Sequence, residues 1–350
     1  MDLAHAHPIP ALYRITALRI EPVDSGLINR TFLVTGASHQ RHILQWVNPI
    51  FAAPINEDIE AITSHVASRG LLTPRLLRTA SGELCVPGNN GHWRMLTWID
   101  GDTLHRAASD QVAREAGCML GKFHAAVADF TQPFQSHRPG VHESVRHFKH
   151  LRDTLAKRTD HPRFGSVTTL GEEILQVAAT LPVLPSLPER VVHGDPKISN
   201  FLFERGTGRA LCMVDLDTVS RMALPLEMGD ALRSWCNLAG EDSPTANFSS
   251  SRFHAALEGY AATAAQLLSA PEIAALIPAT RLIFVELAAR FCADALNEDY
   301  FAWDAARFSS HSEHSEIRAA GQLDAARAME RLDATLQRLV AEVFAVIHAP

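Results

Sequence analysis

The chain has little cysteine, and none arranged for chemistry. Cys85, Cys118, Cys212, Cys236 and Cys292 are scattered, odd in number and without a C-x-x-C pair. That argues against a disulfide framework or a zinc site and points to a reducing compartment. An excess of positive charge is also missing: 32 Lys and Arg against 39 Asp and Glu leave a formal net charge of −7. Nucleic-acid binding would favour a basic patch, so no such partner is expected. No apolar run approaches the ~20 residues that span a bilayer. The most apolar late stretch, 282–291, is broken by Glu286 and Arg290. The start, Met1 to Pro10, has no basic region followed by an apolar one, so it does not read as a secretory signal. There is no internal repeat. The expectation is a soluble, cytoplasmic protein with no membrane or nucleic-acid partner.

What is present fits an ordinary globular protein: 47% hydrophobic and 20% charged residues over 350 positions. That length suggests two lobes around separate cores. The first hundred residues read as strand-rich. Thr31–Thr35 and His42–Val47 are short β-type runs around the turn Gly36–His39. Ile55–Arg69 has helical spacing, follows Pro54 and stops at Gly70. Glu83–Val86 and Trp93–Trp98 read as strands around the turn Pro87–Gly91. After Asp100-Gly101 the pattern turns helical, over Ala107–Phe130, 142–158 and 170–180. A proline-rich break at Leu181–Pro188 follows, then short strands at Val191-Val192 and Leu211–Val214, then Ala-rich helix from Pro225 to the end. The predicted architecture is α+β and bilobal: a small β-rich lobe over 1–96, a hinge at 97–102 and a larger, mainly helical lobe over 103–350.

The most informative segment is Val191-Val-His-Gly-Asp-Pro-Lys-Ile-Ser-Asn200. Phosphoryl transfer asks few things of a protein. One carboxylate must orient or deprotonate the attacking hydroxyl, and oxygen ligands must hold Mg²⁺ against the triphosphate. A loop of the form H-x-D-x-x-x-x-N supplies both, with Asp195 as the base and Asn200 as a metal ligand. A second carboxylate should follow a nearby strand, and Asp215 does so in Met213-Val-Asp-Leu-Asp217. Asp217 suits either a further metal contact or the holding of that loop. Lys197 either neutralises the moving phosphoryl group or is a solvated surface lysine. His193 suits a structural role in the loop. A plain turn is the rival reading, because Gly-Asp-Pro is good turn chemistry.

These residues resemble the aminoglycoside phosphotransferase family, which has a protein-kinase-like fold, and within it the N-acetylhexosamine 1-kinase type. Gly26-Leu-Ile-Asn-Arg-Thr-Phe-Leu-Val34 is similar to the nucleotide-covering hairpin of that family, and His42-Ile-Leu-Gln-Trp-Val-Asn48 to a strand of the sugar-kinase branch. Asp195-x-Lys-Ile-x-Asn200, Asp215-Leu-Asp-Thr218 and Glu286–Asp294 followed by Tyr300-Phe301 are similar to the same branch. The resemblance implies ATP and Mg²⁺ as cofactors and a small-molecule acceptor. It implies nucleotide contacts from Asn29, Arg30, Thr31, Gln45, Trp98 and Ile99. Two departures stand out. Gly26 is alone, without G-x-G-x-x-G, and Gln45 stands where protein kinases carry an ATP-binding lysine. Gln cannot supply that charge, which leaves Arg30 or Lys197 to compensate. Glu60, on the first long helix, either pairs with such a clamp or is a solvated face.

On the acceptor side, Glu286, Arg290 and Asp294 are four apart and share one helix face. Polar residues on a helix rich in Leu, Phe and Ala suggest a lined cavity. The rival is a solvated ladder of ion pairs. Asp230 and Arg233 either touch substrate or anchor the metal loop. His5/His7 and His311/His314 lack supporting metal ligands. The leading expectation is a sugar kinase with Asp195 and Lys197 at the chemistry, Asn200, Asp215 and Asp217 at the metal, and Asp230, Arg233, Arg290 and Asp294 at the sugar. Alternatives are an aminoglycoside or amino-alcohol kinase, and a non-catalytic nucleotide-binding regulator.

Overall fold

The computed structural model describes residues 3–23, 28–136 and 142–345. Gly26 and Leu27, part of the expected nucleotide-covering hairpin, lie outside the described residues. The chain divides into two compact units. One takes in the described residues of 1–101, 126–137 and 214–219; the other those of 102–125, 138–213 and 220–350.

The smaller unit begins with two short helical turns, α1 (Leu3–Ala6) and α2 (Ile9–Leu12), and a strand β1 (Ala17–Val23). The strands β2 (Arg30–Gly36) and β3 (Arg41–Val47) follow, then helix α3 (Ile55–Ser68) and strands β4 (Val86–Gly88) and β5 (Gly91–Thr97). They form one antiparallel sheet in the order β1-β2-β3-β5-β4. Alternation puts Phe32, Val34, Leu44, Trp93 and Met95 on one face, against Ala6, Ile9 and Tyr13 of the N-terminal turns. The other register carries Thr31, Gln45 and Arg94, which sit side by side across β2, β3 and β5. Helix α3 buries Ile55, Ile59, Ile62 and Val66, the i, i+4 stripe that its sequence dictates.

The strand expected at Glu83–Val86 is shifted. Glu83–Cys85 stay outside the sheet and pairing starts at Val86, opposite Trp93. The turn at Gly88–Gly91 sets that register, because Gly91 has φ +136° and the Cβ of any other residue would meet the Val47 carbonyl at 2.5 Å. Strand β1 and the two helical turns carry no strong periodic signal; contact with the sheet forms them.

The larger unit holds α4 (Asp110–Val127, whose last two residues belong to the smaller unit), α5 (Ser144–Lys157) and α6 (Phe164–Thr180). Two antiparallel ribbons come next: β6 (Glu189–Val192) with β9 (Ser220–Ala223), and β7 (Phe201–Phe203) with β8 (Ala210–Met213). The helices α7 (Leu224–Cys236), α8 (Ser250–Ala264), α9 (Ala270–Asn297), α10 (His311–Arg331) and α11 (Asp333–Phe344) complete it. The C-terminal part is therefore not continuous helix. Irregular stretches at 237–249 and 298–310 separate its helices. Helix α9 is the axis of this unit, buried along most of its length and packed by α5, α6, α7 and α10. Each large apolar side chain it buries, such as Phe284 and Phe291, contributes about 1.5–3 kcal/mol.

Candidate active site

The segment 193–200 leaves β6 at Val192 and enters β7 at Phe201, so two ribbons hold its ends. Gly194 has φ +85°, a conformation that favours glycine. Its N–H donates to Glu227 Oε1 at 2.8 Å. Glu227 Oε2 lies 2.6 Å from His124 Nε2, and His124 Nδ1 lies 2.9 Å from the Tyr260 hydroxyl. All three side chains are buried. Further along, the Ile198 N–H donates to Ser234 Oγ at 3.1 Å, and Trp235 Nε1 donates to the Pro196 carbonyl at 2.9 Å. Helix α7 thus fixes the loop at three points. His193 is fully buried, edge-on to Phe123, and its Nδ1 accepts from the Asp195 N–H at 3.3 Å. It holds the loop, as a structural histidine would.

Solvent reaches this loop at Asp195, Lys197 and Ser199, and 28% of the Asp195 side chain is accessible. Lys197 Nζ lies 2.5 Å from its Oδ2. Asn200 Nδ2 donates to the Asp195 carbonyl at 2.8 Å and to Oδ2 at 3.1 Å. Burial alone would raise the Asp195 carboxyl. The charge and hydrogen bond of Lys197, with the charge of Arg233, outweigh it and hold the group below the usual carboxylate range, which favours the ionised form. Because Asn200 directs its amide hydrogens at Asp195, its Oδ1 lone pairs remain available for a hard cation. Asp215 follows β8 with φ 64° and ψ 57°, a left-handed conformation uncommon for a non-glycine residue. Such a backbone persists only where its surroundings impose it, often at functional sites. The Asn200 amide oxygen, in the larger unit, and the Asp215 carboxylate, in the smaller, are each of the donor type that Mg²⁺ takes. Among the described residues no group of three or more His, Cys, Asp or Glu is placed to hold a metal unaided.

In the smaller unit, Asp217 is enclosed. Arg94 grips it with both terminal nitrogens, at 2.5 Å to Oδ1 and 2.9 Å to Oδ2, while Arg94 Nε donates to Gln45 Oε1 at 2.9 Å. Asn29 Nδ2 donates to Asp217 Oδ2 at 2.6 Å and its own Oδ1 accepts from the Asn48 N–H. Gln45 Nε2 reaches Thr31 Oγ1 at 3.3 Å. Asn29, Thr31, Gln45 and Asp217 are therefore one network, buried at Asn29 and Asp217 and half-buried at Thr31 and Gln45, and Arg94, which sequence reasoning missed, is its buried centre. Burial opposes the Asp217 charge, but Arg94 and Asn29 more than offset it and hold the carboxyl below its usual range. Arg30 is exposed at the start of β2. Trp98 and Ile99 follow β5 and are half-buried, with the Arg41 guanidinium 4.9 Å from the Trp98 ring centre. Glu60 faces Arg75 and Arg78, each at 3.7 Å, and not the sheet.

On the acceptor side, Asp230 and Arg233 of α7 are paired at 2.9 Å, and Arg233 also reaches Glu241 at 3.1 Å. Asp294 is buried and accepts from the N–H groups of Tyr300 and Phe301 and from Ser315 Oγ, with His311 Nε2 at 2.7 Å. Its lone pairs are occupied by the 300–315 segment. Arg290 lies over the rings of Tyr300 and Phe301. Glu286, Arg290 and Asp294 do not pair with one another, so the helix face is no ion-pair ladder. His314 contacts Asp242 at 2.8 Å, which gives this histidine an electrostatic partner.

The model of the phosphotransferase enzyme family matches residues 19–266. A curated relative, the homoserine kinase of Rhodopseudomonas palustris (strain HaA2), is 27% identical over 176 residues, 50% of this chain and 51% of that protein. The chain thus spans about half the length of that relative. Among solved structures, a microcompartment-associated aminopropanol kinase superposes with a TM-score of 0.63 at 16% identity, covering 97% of this chain and 100% of the other. An amicoumacin kinase in complex with AMP-PNP and Ca²⁺ gives 0.60 at 15% identity, covering 98% and 93%. A choline kinase from Cryptosporidium parvum Iowa II gives 0.59 at 14%, covering 93% of each chain. At such identities the likeness shows the fold: α+β and kinase-like, with a small antiparallel-sheet lobe and a larger helical one.

Proposed function

The chain belongs to the phosphotransferase enzyme family, and from that premise we propose that it transfers the γ-phosphate of Mg-ATP to a hydroxyl of a sugar, with an N-acetylhexosamine attacked at its anomeric hydroxyl as the finer reading. The observation that carries it is the placement of Asp195: its carboxylate is accessible and held by Lys197 and Asn200 in a loop anchored by buried residues. A carboxylate so placed orients an acceptor hydroxyl and takes its proton as the oxygen attacks phosphorus in line. Lys197, already at that carboxylate, supplies positive charge where the phosphoryl group moves.

Asn200 and Asp215 are the proposed Mg²⁺ ligands, and the ion when bound would neutralise charge on the phosphates. Asp217 takes the second of its two sequence roles: with both oxygens on Arg94 and Asn29, it anchors the 215–218 turn. Thr31 and Gln45 then shape the sheet face, while Arg30, Trp98 and Ile99 remain proposed nucleotide contacts, with 97–102 as the proposed hinge. Asp230, Arg233 and Arg290 are the proposed acceptor side. Asp294 supports it by holding the 300–301 segment. The homoserine kinase relative keeps an amino-alcohol acceptor as the second reading.

Replacing Asp195 by Asn should lower kcat by about 10²–10⁴-fold, with the Kd for Mg-ATP changed less than threefold. Near-normal turnover by that variant would sink the mechanism.

A further inference from the structure

Sequence reading did not single out His142, which lies ahead of α5 in the larger unit. Its side chain is 6% exposed. Nδ1 is 3.0 Å from Glu286 Oε1, and Ser144 Oγ donates to Glu286 Oε2 at 2.5 Å. The two contacts use both oxygens of Glu286, which is 1% exposed, and they pin the start of α5 to α9. That role accounts for one side of the imidazole only. His142 Nε2 is buried and has no hydrogen-bond partner. A buried polar nitrogen left without a partner is costly, and nothing about anchoring α5 requires it.

The surroundings are those of the proposed acceptor side. Asp230 of α7 and Arg290 of α9 both act electrostatically on the His142 ring. Arg233, paired with Asp230, in turn acts on Asp195. His142, Asp230, Arg233 and Asp195 all belong to the same unit. Burial works against a charged imidazole here, but the hydrogen bond and charge of Glu286, with the charge of Asp230, outweigh it and hold His142 above its usual range. A protonated ring with Nδ1–H on Glu286 offers Nε2–H as a donor.

We infer that His142 is a specificity-determining residue that gives its Nε2–H to an oxygen of the acceptor, and that this acceptor is uncharged, carrying hydroxyl or acyl carbonyl oxygens and no ammonium group. The inference rests on the kinase reading above and deepens it. The carboxylates bear it out by their occupancy. Both oxygens of Glu286 are taken by His142 and Ser144, Asp230 is paired with Arg233, and Asp294 is held by the 300–315 segment. A cationic substrate would meet Arg290 and a protonated His142 beside carboxylates that already hold partners, whereas an oxygen lone pair satisfies the open donor.

The test has two arms. Wild-type protein, His142→Ala and His142→Gln are assayed for ADP release with N-acetylglucosamine, glucose, homoserine and choline, and KM is measured for acceptor and for ATP. Separately, ¹⁵N-histidine spectra of the wild type, with His142→Gln for assignment, are followed as N-acetylglucosamine is added. Expected are a preference for the uncharged sugars, a rise of tenfold or more in acceptor KM for His142→Ala with the ATP KM within twofold, and movement of the His142 Nε2 resonance. Preference for choline, or an unchanged acceptor KM, overturns the inference while leaving the kinase reading intact. ADP release with none of the four acceptors counts against the kinase reading itself. The resonance still decides the inference in that case, and a His142 signal unmoved by the sugar overturns it. Should His142→Ala not fold, the wild-type acceptor preference and the resonance carry the test.

Discussion

Arg94 and Asp217 show what single residues contribute. Both are buried, and their bidentate contact closes the polar face of the small sheet. Removing one partner of such a pair leaves an uncompensated charge in the interior and costs about 3–5 kcal/mol. Arg94→Met should therefore lower unfolding stability by about that amount in urea titrations, while a loss below about 1 kcal/mol would mean that the pair is not closed in solution. Its neighbour His92 makes a second residue-level prediction. Burial and the Arg94 charge push His92 down to about 4, against a smaller opposing pull from Asp217. Asn56 Nδ2 lies 2.9 Å from His92 Nε2, so the neutral ring is the one the fold accommodates. The unfolded chain, with an ordinary imidazole near 6.5, binds more protons between these values. Stability from this site is thus complete above about pH 6.5 and falls as pH drops toward 4, by up to about 3 kcal/mol. Melting temperatures measured from pH 7 to pH 4 should fall less steeply for His92→Gln than for the wild type.

His142 titrates the other way. Facing Glu286 and Arg290 on α9, Asp230 on α7 and, through Glu286, His147 on α5, it is held above its usual range. Its contribution is complete below the ordinary imidazole value and fades as pH rises through the raised one. Neither residue was visible in the sequence. His142 and Glu286 are 144 positions apart, and a buried arginine in Trp93-Arg-Met looks like any alternating strand until Asp217 is placed beside it.

At the level of elements, local pattern was a good guide wherever local chemistry decides. Helix α3 ends at Ser68 before Gly70, and the strands β2, β3 and β5 fall within a residue or two of their β-type runs. The loop 193–200 was legible because its working groups lie within eight residues. What holds it was not: Glu227 and His124 come from two other helices, and no spacing links them to Gly194. Strand β1 was equally hidden, since pairing with β2 forms it. The crossing of α4 and α8 makes a prediction of its own. Gly117 and Gly259 let these helices approach so closely that a Cβ on Gly259 would lie 2.0 Å from the Arg114 carbonyl. Gly259→Ala must push α8 off α4 and should destabilise by about 1–3 kcal/mol, with the His124–Tyr260 contact disturbed in the same step. A variant as stable as the wild type would contradict that packing.

For the whole molecule, the division into a sheet unit and a helical unit was readable from the compositional shift near residue 100. The return of residues 126–136 and 214–219 to the first unit was not, because it depends on contacts far apart in sequence. No helix among the described residues is long and apolar enough to cross a membrane. The most direct measurement of the proposed transfer is ³¹P NMR of the purified full chain incubated with Mg-ATP and each of N-acetylglucosamine, glucose, homoserine and choline. A sugar-phosphate resonance should grow in step with loss of the γ-phosphate signal, and should be absent with Asp195→Asn. Phosphocholine as the main product, or phosphorylated sugar formed equally by Asp195→Asn, would contradict that transfer.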